Sequence, residues 1–214
     1  MSPSAIGIVV GAYLLGSISF SVVVVKLVLG LDVRTVGSGN AGATNALRAA
    51  GKKAGAAVLF LDLLKGVTAV AVPRALGAPP AVVGGAALAV VLGHVFPIFF
   101  GFRGGKGVAT SAGALGALSP MAMAMALLVF AAVVAWKRYV SLASMAAAAS
   151  FPFLALLVHR LGWTGFGGRW LLLSSGAISL IILAKHTRNY QRLRQGTEPR
   201  LGERRRAEPA GGMG

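Results

Sequence analysis

The chain alternates between long apolar runs and short stretches that are polar, basic or rich in glycine. Apolar residues dominate 6–29, 56–72, 81–100, 108–135, 140–158 and 171–184. Runs of this kind read as helices that cross a bilayer, whose hydrocarbon core of about 30 Å takes roughly 20 residues of helix. The first run has no basic segment before it and no A-x-A site after it, so it reads as a retained helix rather than a signal peptide. Residues 30–55 read as a polar, glycine-rich loop, and the second run ends at Pro73. The run 108–135 is interrupted by Ser119 and Pro120. The pattern predicts an all-α integral membrane protein.

Charge distribution orients this bundle. Basic residues concentrate in 30–55, in 101–107, at 136–139 and in the tail from Lys185 onward. Cytoplasmic loops carry an excess of Lys and Arg. The N-terminus is therefore expected outside and the C-terminus inside, provided that 108–135 crosses twice and turns at Ser119-Pro120. That gives seven crossings. The first half, residues 108–118, would be a helix of only about 16 Å, starting below the membrane surface. A re-entrant hairpin is the competing reading.

Composition narrows the chemistry. The chain has 214 residues, 56% of them hydrophobic and 12% charged, with a mean hydropathy of +0.78. A soluble domain usually carries about a quarter charged residues. The net charge of +16, which on a soluble protein would suggest nucleic acid, here fits cytoplasmic loops, anionic headgroups and an anionic substrate rather than a nucleic-acid partner. There is no cysteine, so thiolate metal sites and thiol nucleophiles are excluded. His94, His159 and His186 are far apart and form no metal-binding spacing, and no cofactor or metal is expected. Gly7 with Gly11, and Gly51 with Gly55, have the small-xxx-small spacing of close helix packing.

Three polar motifs fall on the inner side under this topology. GSGNAGATN at 37–45, followed by Arg48, combines flexible backbone with hydroxyl and amide groups suited to an oxygen-rich ligand. FRGGKGVAT at 102–110 places a glycine turn and a lysine before a helix, an arrangement that binds phosphate. It is not a Walker A motif. KHTRNYQRLRQGTE at 185–198 puts His186 and Asn189 three apart, on one face of a continuing helix. Asp62 and Lys65 lie inside the second run, where charges need a partner, and read as an internal pair supporting the site. His94 is as well explained by a structural hydrogen bond as by catalysis. On these residues alone an enzyme and a small transporter or channel with a central phosphate-lined site are both open.

Taken together and in order, GSGNAGATN, DLLKG at 62–66, GHVFPIFFGFRGGKGVAT, RYVSLAS and KHTRNYQRLRQGTE resemble the bacterial membrane acyl-phosphate:glycerol-3-phosphate acyltransferases, the PlsY family. The resemblance spans residues 5–199. It implies a seven-helix, N-out enzyme of the bacterial inner membrane, with one membrane-embedded domain over 1–199 and its active site facing the cytoplasm. The implied reaction moves a fatty acyl group from acyl phosphate to the 1-hydroxyl of glycerol 3-phosphate. It yields lysophosphatidic acid and phosphate, the first acylation of phospholipid synthesis. Membrane lipids and the soluble enzyme that makes acyl phosphate are the implied partners. By motif, the resemblance puts Ser38, Lys106 and His186 at the catalytic centre. It puts Asn40, Thr44, Arg48, Gly104, Gly105, Gly107, Ser141, Ser144, Asn189 and Arg192 around the substrates. Within that set Lys106 and the glycine turn are expected on the donor's phosphate, and Arg48, His186 and Asn189 on glycerol 3-phosphate. The His-x-x-x-x-Asp dyad of other acyltransferases is absent: the fifth residues after the three histidines are Phe99, Thr164 and Gln191. The base is then His186 or a substrate phosphate oxygen. Residues 200–214 match nothing and read as a basic, disordered tail.

Overall fold

A computed structural model of the chain describes residues 2–163 and 166–202. Thr164 and most of the expected tail, residues 203–214, lie outside the described residues. Among the described residues nine α-helices follow one another: α1 Pro3–Gly16, α2 Phe20–Leu29, α3 Ala43–Ala75, α4 Pro80–Val95, α5 Val108–Leu118, α6 Pro120–Lys137, α7 Val140–Arg160, α8 Gly168–Lys185 and α9 Thr187–Arg194. Six stretches among the described residues are long and apolar enough to cross a membrane, and α1 with α2 counts as one of them. The chain is thus an all-helical, multi-pass membrane protein. Helix α5 is the short apolar helix expected after the glycine turn, and Ser119 and Pro120 separate it from α6.

The first apolar run is not one helix. It breaks at Ser17–Ser19, and the break is held by a lysine from another element. Lys65 donates to the carbonyls of Gly16 at 3.1 Å and Ile18 at 2.9 Å. An unpaired carbonyl inside a membrane costs several kcal/mol, so the break and the buried lysine satisfy each other. Apolarity alone could not show this, because all residues around the break suit either arrangement.

The loop reading of 30–55 also needs correction, since α3 begins at Ala43. Its first turns, ATNALRAA, consist mainly of good helix formers, and Thr44, Asn45 and Arg48 among them line a cavity. Gly51, at φ 84° and ψ −178°, then kinks the helix, a conformation that glycine alone adopts at no steric cost. The helix runs past Pro73 to Ala75.

Helix α4 is the centre of the bundle. Val82, Val83, Ala86, Ala87, Val90, Val91 and Val95 are buried on it, and a helix apolar all round is a buried one. Two pairs of elements meet at backbone distance. A Cβ on Gly16 would stand 2.1 Å from the carbonyl oxygen of Val90, and one on Gly93 would stand 2.1 Å from that of Tyr13, which locks α1 to α4. Gly66 against the Thr110 carbonyl and Gly113 against that of Leu63 do the same for α3 and α5, at 2.1 and 2.0 Å. Of the spacings singled out by pattern, Gly7 and Gly11 face open space and Gly51 is the kink.

Candidate functional site

The two polar loops are built by their own side chains. Asn45, 1% exposed, donates to the carbonyls of Val33 at 2.8 Å and Val36 at 3.0 Å and accepts from the Ser38 N–H at 2.9 Å. It therefore shapes the loop from inside. Gly37, at φ 61°, leaves room for its amide, from which a Cβ would be 2.3 Å away. Arg34 joins this loop to the next. Its guanidinium grips Asp32, with Nη2 2.7 Å from Oδ2, and donates to the Phe100 carbonyl at 2.7 Å.

The glycine turn at 101–107 folds back on the end of α4. Gly105 N–H donates to the His94 carbonyl at 3.2 Å. Neither Gly104 nor Gly105 could carry a side chain, because a Cβ would meet the His94 carbonyl at 2.0 Å and the His94 ring at 2.3 Å respectively. The turn delivers Lys106 into a cavity of about 640 Å³. Ser38, Asn40, Thr44, Arg48, Lys106, Gly107, Ser141, Ser144, His186, Asn189 and Arg192 all line this cavity. Loops more than 140 residues apart in sequence thus meet in one place. Gly104 and Gly105 lie behind it, against His94, and the N–H of Gly105 is already used there. Of the two serines, Ser144 donates to its own helix at Val140 (2.8 Å), whereas Ser141 lies beside a carboxylate.

That carboxylate is Glu198, the last residue of the third motif. It is 8% exposed and follows α9. Asn189 donates its Nδ2 to Glu198 Oε1 at 2.6 Å, and Arg192 donates its Nε to Oε2 at 2.7 Å. A carboxylate only accepts, so it fixes the flip of the Asn189 amide and turns Oδ1 toward Lys106, which donates to it at 2.5 Å. Burial opposes ionisation of Glu198, but Ser141, Arg192 and Asn189 outweigh it and hold its pKa below the ordinary carboxylate value. The segment carrying it is tied down at Leu201, whose N–H donates to the Arg138 carbonyl at 2.6 Å while Arg138 Nη2 donates to the Leu201 carbonyl at 2.9 Å.

Two titratable groups in the cavity are shifted. Burial, with Arg192 and Arg48 nearby and Glu198 opposing, pushes Lys106 down to about 8. Burial is also the largest cause for His186, pushed down to about 4, with the Lys106 charge adding to it and the bond to Ile182 opposing it. His186 is therefore a neutral imidazole at pH 7. Its Nδ1–H donates to the Ile182 carbonyl at 2.8 Å, which leaves Nε2 as a bare acceptor.

The remaining walls are apolar: Leu47, Leu59, Leu63, Leu127 and Phe130. Beneath the glycine turn lies the expected internal pair. Lys65 and Asp62 are 2.9 Å apart and almost fully buried, and His94 joins them, its Nδ1 2.9 Å from Lys65 Nζ. Asp62 and His94 also reach the cavity wall. Among the described residues no group of three His, Cys, Asp or Glu side chains is placed to hold a metal.

Comparison with known proteins gives the chain its relatives. Residues 6–196 match the model of the family described as glycerol-3-phosphate acyltransferase. Curated relatives of that name include those of Aquifex aeolicus, 46% identical over 92% of this chain and 99% of theirs, and Geotalea daltonii, 44% identical over 91% and 96%. The chain also superimposes on the crystal structure of PlsY, an integral membrane glycerol 3-phosphate acyltransferase, in its glycerol 3-phosphate form. That match has a TM-score of 0.83 and 44% identity, over 93% of this chain and 96% of that one. The lysophosphatidic acid form matches at a TM-score of 0.81 and 42% identity, with the same coverage.

Proposed function

The chain belongs to the glycerol-3-phosphate acyltransferase family, and from that premise we propose that it acylates the 1-hydroxyl of glycerol 3-phosphate with acyl phosphate as donor. The products are lysophosphatidic acid and inorganic phosphate, and the step is the first acylation of phospholipid synthesis. The observation that carries this reading is the mixed lining of one cavity. Arg48, Lys106, Arg192, His186 and Asn189 line it together with Leu47, Leu59, Leu63, Leu127 and Phe130. Both substrates carry a phosphate, and one of them carries a fatty chain. Cations and neutral donors suit the first feature, and an apolar wall suits the second.

An acyl phosphate is already activated, so no covalent enzyme intermediate is needed. The glycerol oxygen attacks the carbonyl carbon, the carbon–oxygen bond to phosphorus breaks, and phosphate leaves with the electron pair. Lys106, aimed by Asn189, neutralises charge on the departing phosphate, and Ser38, Asn40 and Thr44 donate to phosphoryl oxygens. Arg48, with His186 and Asn189, holds glycerol 3-phosphate. His186, at about 4, is a weak base, so the hydroxyl proton passes to a phosphate oxygen of the donor. His186 Nε2 orients that hydroxyl by accepting its hydrogen bond until transfer. The domain spans residues 1–199 in the bacterial inner membrane, with the cavity on the cytoplasmic side, where a soluble enzyme supplies acyl phosphate.

The test uses purified protein in detergent with glycerol 3-phosphate and either acyl phosphate or acyl-CoA, with and without chelator. Turnover is expected with acyl phosphate alone and unchanged by chelator. Robust turnover with acyl-CoA alone, or its loss in chelator, overturns the assignment of the donor.

A further inference from the structure

The lysine, carboxylate and histidine beneath the glycine turn do more than brace the bundle. An ammonium group can only donate. Lys65 Nζ lies 2.9 Å from His94 Nδ1, too close for two N–H groups to face each other, so Nδ1 is the acceptor. Nε2 therefore carries the ring proton that faces away from Lys65. Lys65 cannot rotate away from this task, because its other donors are fixed on the Gly16 and Ile18 carbonyls and Asp62 flanks it. His94 is 6% exposed, and its Nε2 has no hydrogen-bond partner among the described residues. The same ring borders the cavity, pressed against Gly105, one residue before Lys106. A ligand oxygen in that cavity could accept from this N–H.

We infer that His94 Nε2–H is a hydrogen-bond donor to an oxygen of the acyl donor's reacting group, beside Lys106, with its tautomer set by Lys65. The inference rests on the reading of this cavity as the acyl-transfer site. The donor is assigned that position because the ring touches the turn that delivers Lys106, while His186 and Asn189 come from α9 and its approach. Negative charge grows on the carbonyl and bridging oxygens as the acyl bond breaks. A donor fixed in advance at such a place stabilises the transition state more than the ground state.

Two substitutions separate this role from a purely structural one. The amide nitrogen of a glutamine reaches the place of a histidine Nε2, whereas the amide of an asparagine stands at the place of Nδ1. His94→Gln therefore keeps a donor at the cavity but strands Lys65, and His94→Asn keeps an acceptor for Lys65 but removes the cavity donor. The expected result is that activity and stability rank in opposite orders. His94→Gln should retain kcat/KM within about tenfold of the parent, and His94→Asn and His94→Ala should lose on the order of 100-fold. In detergent melts, His94→Asn should be the more stable of the two polar variants. Activity is measured with whichever acyl donor the parent enzyme uses. Equal activity of the two polar variants, or more activity in His94→Asn, overturns the inference. A parent protein that transfers no acyl group overturns the functional reading instead.

Discussion

At the level of single residues, the cavity sets Lys106 apart. Its half-buried ammonium group lies near Arg48 and Arg192 and is oriented by Asn189, which is oriented in turn by Glu198. Losing one hydrogen bond to a charged group costs roughly 1.5–3 kcal/mol, so Lys106→Ala and Arg48→Ala should each lower kcat/KM by about 10- to 150-fold at equal membrane expression. Arg204→Ala, beyond the matched segment and outside the described residues, serves as the comparison and should change it little. Near-parental activity in Lys106→Ala would remove the phosphate contact from the proposal. The shifted pKa adds a pH signature. Because burial lowers Lys106 to about 8, the free enzyme loses the cation as pH rises through about 8, and kcat/KM should fall on that limb. Arginine stays charged throughout, so Lys106→Arg, whatever its absolute rate, should move the limb to higher pH. The residue types of this cavity were legible in the sequence, because hydroxyl, amide and cationic groups stand out against apolar helices. The order among them was not. Asn45 looked like a ligand group of the first motif, yet it holds up its own loop. Glu198 fixes an amide flip, and only the folded contact shows that.

At the level of elements, apolar runs predicted where helices lie better than how they are interrupted. The short α5 and its turn at Ser119-Pro120 were readable, because proline and the basic loop before it punctuate the run. The break between α1 and α2 was not, because it depends on Lys65 arriving from α3. Helix contacts were hidden for a related reason. In a chain with 30 glycines, spacing cannot say which ones touch a neighbour. The structure makes opposite forecasts for glycines that look alike in sequence. Gly113→Ala would place a methyl 2.0 Å from the Leu63 carbonyl, against backbone that cannot give way, and should destabilise the protein by about 1–3 kcal/mol. Gly11→Ala meets nothing within 4 Å and should be neutral or gain up to about 0.5–1 kcal/mol from better helix propensity. Thermal melts of the two variants in one detergent compare these directly. Equal melting temperatures would mean that α3 and α5 do not pack through Gly113.

For the whole molecule, the decisive question is the path of the chain across the bilayer. Six stretches among the described residues qualify as spans by length and apolarity, and α5, with 11 residues, does not. The charges argue that α5 nevertheless leads the chain across. Lys106 before α5 and Lys137 with Arg138 after α6 belong to basic segments, and basic segments stay on the cytoplasmic side. They can share a side only if the chain between them crosses twice. The cavity supplies an independent reason. Lys106 from one segment, Ser141 from just past the other, and His186, Asn189 and Arg192 from the end of α8 onward all line it, so the ends of three stretches meet at one face. A helix of 11 residues spans about 16 Å. It can serve as a crossing because its N-terminus opens into that cavity rather than into lipid, where polar backbone is tolerated. Arg74 supports the far end, donating to the Ala117 carbonyl at 2.7 Å and satisfying the last turn of α5 on the side away from the cavity. We therefore propose seven crossings, with the N-terminus outside and the C-terminus inside. Reporter fusions truncated after Ser119 and after Arg138 should therefore report opposite sides, with Arg138 on the cytoplasmic one. The same side at both positions would remove the seven-crossing count; a re-entrant hairpin of α5 and α6 leaves five crossings.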